Sequence, residues 1–103
     1  MTALMLIKTQ TDGLLELAGD LTFSTITKKT VLLCDFKNSS QMITLDFSHV
    51  QQTDSAGLAL VIEWIKLSQA QGRQLNLRHF PPPLQTLATL CGFEIGSFLS
   101  ETI

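Results

Sequence analysis

Apolar and polar positions alternate along some stretches of this chain and recur every three or four residues along others. The alternating stretches read as strands and the others as helices. Ala3 to Thr9 is predicted as a first strand, Thr11-Asp12-Gly13 as a turn in which Asp-Gly readily supplies positive φ, and Leu14 to Ala18 as a second strand closing a hairpin. Leu15 and Leu17 share one face of it; Leu14 and Glu16 share the other. Gly19-Asp20 ends the hairpin. Thr22 to about Phe36 is predicted as a helix, with Phe23, Ile26, Thr30 and Leu33 along one side. Its many β-branched residues make it a weak helix former that packing must hold. Asn38 to Gln41 is a loop.

Met42 to Phe47 alternates again, Ile43, Leu45 and Phe47 against Met42, Thr44 and Asp46. Ser48 to Thr53 reads as polar and irregular. A long helix runs from Ser55, capped by Asp54, to about Gln71, and Gly72 stops it. Gln74 to Phe80 is another strand, with Leu75 and Leu77 inward. Pro81-Pro82-Pro83 opens a last helix, since proline is tolerated in a first turn whose N–H groups lack partners. Leu84, Leu87, Ala88 and Cys91 form its stripe and Gly92 ends it. Phe93 to Ile103 is an apolar-patterned tail, packed loosely or against a partner. The order β-β-α-β-α-β-α predicts a single α/β (α+β) domain over residues 1–103. Its sheet is expected to be mixed and about four-stranded, with helices mainly on one face because the crossovers are right-handed.

The helix from Ser55 is apolar on two sides. At about 100° per residue, Leu58, Val61, Ile62 and Ile65 form a stripe suited to the sheet, while Leu60, Trp64 and Leu67 form a second on roughly the opposite side. Either flanking helices cover that second stripe or it is a docking face. Tryptophan is enriched among interface hot spots. Leu60 and Trp64 lie one and two turns from Ser55, so one partner would cover stripe and loop together.

Composition narrows the function. The 103 residues fit one domain, and a formal net charge of −2 without any run of Lys or Arg argues against nucleic-acid binding. No apolar stretch approaches the roughly 18 residues of a membrane span, and the first residues lack the basic start of a signal peptide. Cys34 and Cys91 form no CxxC pair and read as reduced, partly buried thiols.

The chemistry concentrates at Thr53-Asp54-Ser55-Ala56, where a strand–loop–helix junction presents Asp54 and Ser55 at a helix N-terminus rich in unpaired N–H groups. Ser55 there is a ligand contact, a phosphorylation target, a nucleophile or a cap. A nucleophile needs a base, and the two histidines, His49 and His79, read as a surface loop residue and a strand-end residue; Gly-x-Ser-x-Gly is absent. No catalytic residue is assigned. Asp46 and Asp54 do not make a metal pair on this pattern, and with no glycine-rich phosphate loop no cofactor is expected. Phosphate on Ser55 would add about two negative charges beside Asp54, so a partner tuned to a neutral hydroxyl would be repelled. That chemistry suits a switch on binding.

Leu17-Ala-Gly-Asp-Leu21, Ile43-Thr-Leu-Asp-Phe47 and Thr53-Asp-Ser-Ala-Gly57 together resemble the STAS domain family, found in anti-sigma-factor antagonists and at the cytoplasmic ends of sulfate transporters. Gly57-Leu-Ala-Leu-Val through Gln71-Gly72 and the final helix Leu84 to Leu90 look most like the MlaB type, the STAS subunit of Mla phospholipid ABC transporters. The resemblance implies a non-enzymatic cytoplasmic subunit, peripheral to the inner membrane, that docks on the transporter's ATPase through Thr53, Asp54, Ser55, Ala56, Leu58, Leu60 and Trp64. The family's key hydroxyl falls on Ser55, commonly threonine in the MlaB type and serine in anti-sigma antagonists. The alternative it implies is such an antagonist, bound to an anti-sigma factor that is also a serine kinase and switched by phosphorylation of Ser55.

Overall fold

The computed structural model describes residues 4–9, 13–27 and 41–99. Their elements are β1 (Met5–Lys8), β2 (Leu14–Leu21), β3 (Met42–Thr53), α1 (Ser55–Ala70), β4 (Gln74–Arg78), α2 (Pro82–Leu90) and a 3₁₀ turn at Gly96–Phe98. The strands form one sheet in the order β1-β2-β3-β4. β2, β3 and β4 are mutually parallel and β1 is an antiparallel edge on β2. Two α-helices stand among the described residues, where the sequence predicts three.

The difference lies at the start of the helix expected from Thr22. The chain turns at Thr22–Thr25 and is not helical at Ile26 and Thr27; the rest of the predicted helix lies outside the described residues. Thr25 Oγ1 reaches the Asp20 carbonyl at 2.6 Å and accepts from the Thr22 N–H at 3.2 Å, so the hydroxyl favours a turn over a helical start.

Two strands outrun their sequence boundaries. β2 continues through Gly19-Asp20 to Leu21, and β3 through the polar Ser48–Thr53. Each extension is held by the other, with Ala18 opposite His49, Gly19 opposite Val50 and Leu21 opposite Thr53. Backbone pairing outweighs polar composition here, because one flank is the parallel neighbour rather than the core. β4 ends early, at Arg78, because His79 takes a left-handed φ of 55°.

The alternation places Leu17, Ile43, Leu45, Phe47, Leu75 and Leu77 in one buried cluster with Leu58, Val61 and Ile65 of α1 and Leu84 and Ala88 of α2. Phe47 meets Phe80 edge to face at 5.1 Å. α1 stops as its sequence predicts: Gly72 is left-handed, and the N–H groups of Gly72 and Arg73 return to the carbonyls of Gln69 and Ser68. The described part of the C-terminal stretch, residues 93–99, packs on the rest of the chain. Ile95 is buried and Leu99 bridges to Leu77 beside β4. Cys91 is exposed rather than partly buried, and Cys34 lies outside the described residues.

Candidate partner-docking site

β3 runs directly into α1, so Thr53, Asp54 and Ser55 turn a corner at one edge of the domain. Asp54 caps the helix, as its sequence position predicts. Its backbone is extended (φ −149°, ψ −172°), and Oδ1 accepts from the N–H of Ala56 at 2.9 Å and of Gly57 at 3.2 Å. Oδ2 accepts from the backbone N–H of Phe23 at 3.0 Å, and the Asp54 N–H donates to the Leu21 carbonyl at 3.3 Å. One carboxylate therefore closes the helix terminus and ties it to the turn after β2.

This changes the electrostatics expected of the corner. The helix start already holds its own anion, with two of its free donors satisfied, so it is not an open anion-binding terminus. Ser55, the first helical residue, is exposed, and among the described residues no hydrogen bond engages its hydroxyl. Thr53, Asp54 and Ala56 are half-buried. Gly57 is buried, and a Cβ on it would collide with the Leu21 carbonyl oxygen. The first turn of α1 is thus seated on the end of β2.

The apolar half of the expected docking set lies elsewhere. Leu58 and Leu60 are each 3% exposed and Trp64 is fully buried. α2 packs against α1, and its Leu84 and Ala88 join the same cluster as Trp64. The second apolar stripe is therefore covered within the domain and is not a free face. Of the residues expected to meet a partner, only Thr53, Asp54, Ser55 and Ala56 reach the surface.

No nucleophile–base pair forms at Ser55 from either histidine. His49 is a strand residue rather than a loop residue, and its Nε2 lies 3.5 Å from Glu16 Oε2. It precedes Thr53 by four strand residues, roughly 13 Å of chain. His79 Nδ1 lies 3.0 Å from Asp46 Oδ1, which also accepts from the Ser48 N–H at 2.9 Å. Burial pushes the Asp46 carboxyl up, but the hydrogen bonds from His79 and Ser48 and the His79 charge outweigh it and hold Asp46 below its ordinary value. Asp46 and Asp54 serve separate hydrogen-bond sets. Among the described residues no group of three or more His, Cys, Asp or Glu is placed to hold a metal.

Sequence reasoning missed Phe23. Read as part of an apolar helix stripe, it is instead 80% exposed, on the turn that Asp54 holds. The signal that finds it is Thr22 followed by Thr25 after a strand end, a side-chain-bonded turn rather than a helix start.

The family described as "Mlab, STAS domain" matches residues 5–100, and the chain belongs to this STAS family. Its fold is shared by the anti-sigma factor antagonist SpoIIAA in its unphosphorylated form, at 17% identity and a TM-score of 0.65, over 98% of this chain and 90% of that one. The phosphorylated form of the Bacillus cell fate determinant SpoIIAA gives 17% identity and a TM-score of 0.69, over 98% and 92%. A sulfate transporter family protein from Wolinella succinogenes gives 18% identity and a TM-score of 0.65, over 87% and 76%. No curated protein matches the chain in sequence. Among the described residues no helix is long and apolar enough to cross a membrane.

Proposed function

We propose that this chain is a non-enzymatic accessory subunit that docks on the ATPase of a Mla-type phospholipid ABC transporter, the kind that maintains outer-membrane lipid asymmetry. It acts in the cytoplasm and is peripheral to the inner membrane through that partner. The observation that carries the reading is the corner itself: an exposed, unengaged Ser55 hydroxyl on a helix start fixed by Asp54. A corner whose hydroxyl is bonded by no described residue, with both histidines engaged elsewhere and the Asp54 carboxylate occupied by backbone N–H groups, suits recognition rather than turnover. Family membership in the MlaB type supports the choice of partner. The docking surface is Thr53, Asp54, Ser55 and Ala56; Leu58, Leu60 and Trp64 support it from the core. The test is size-exclusion chromatography and calorimetry of the purified chain with a purified Mla-type ATPase subunit. A stable complex that Ser55→Asp weakens is expected, and absence of any complex would refute the reading.

A second reading is favoured by one observation, that the residue carrying the hydroxyl is a serine open to an enzyme. In it the chain is an anti-sigma-factor antagonist whose Ser55 is phosphorylated by a serine kinase partner. SpoIIAA, whose fold this chain shares, has been seen in both unphosphorylated and phosphorylated forms. A phosphate on Ser55 would stand beside the Asp54 carboxylate, which already holds the N–H groups of Ala56 and Gly57. Incubation with an anti-sigma kinase and ATP, read by intact mass, separates the two readings.

A further inference from the structure

We draw no further inference here: the strongest candidate, the groove of about 440 Å³ between α2 and the segment from Phe93 to Leu99, has its polar lining side chains Gln85, Thr89 and Glu94 engaged by backbone groups of the chain itself, and nothing in the structure shows what covers its apolar remainder.

Discussion

The carbonyl oxygen of Leu21 lies so close over Gly57 that no side chain fits between them. This contact sets where α1 begins relative to the sheet, and hence where Ser55 stands. It also fixes the sign of a substitution that would ordinarily stabilise. Gly57→Ala in an open helix would gain about 1 kcal/mol of helix propensity. Here the new Cβ meets backbone, which cannot rotate away, and overpacking costs about 1–3 kcal/mol. The thermal midpoint is expected to fall by several degrees, at about 4–8 °C per kcal/mol for a domain of this size. A midpoint at or above wild type would show that strand and helix part easily and that the corner is not seated as described.

The two oxygens of Asp54 have separate duties, which Asp54→Asn distinguishes. The amide oxygen can still accept from Ala56 and Gly57, but the amide NH₂ then faces the Phe23 N–H. Amide exchange at Phe23 is expected to accelerate while Ala56 and Gly57 keep their protection, with about 1 kcal/mol lost in stability. Equal acceleration at all three amides would mean that the cap and the turn form one unit.

Much of this was legible beforehand, and the failures share causes. Ile43, Leu45, Leu75 and Leu77 alternate on a half-buried surface, so period two locates them. Asp54 and Gly72 are read by local chemistry, a side-chain oxygen and a free φ, that acts within a few residues. Ser48–Thr53 was not legible, because its strand character comes from β2, more than twenty residues away in sequence. The spacing of Phe23 suits a helix, although the Thr22–Thr25 turn and a carboxylate 31 residues on decide its conformation. The Ser55 corner was found by motif and junction. Which of its neighbours reach the surface depended on where α2 packs.

Trp64 illustrates that last point and gives a separable prediction. As a buried side chain it should behave as core: Trp64→Ala is expected to cost about 3–5 kcal/mol and leave the domain largely unfolded at modest denaturant. A docking-face tryptophan would instead leave stability within about 0.5 kcal/mol and weaken only binding. Urea denaturation followed by circular dichroism decides between them without any partner present.

The sheet carries a second testable element, in the Asp46–His79 pair 3.0 Å apart. Asp46 titrates below its ordinary value in the folded state. A carboxyl so depressed contributes stability that is fully present above its unfolded pKa of about 3.9 and is lost as pH falls through the lower folded value. Asp46→Asn removes that charge-assisted bond and is expected to cost about 1.5–3 kcal/mol at pH 7. The gap to wild type should then shrink as pH drops below about 4, where the wild-type carboxyl also becomes neutral. Urea midpoints of both proteins at neutral pH and in the acid range test this. Curves that stay parallel throughout would show that the carboxylate of Asp46 adds nothing beyond its shape.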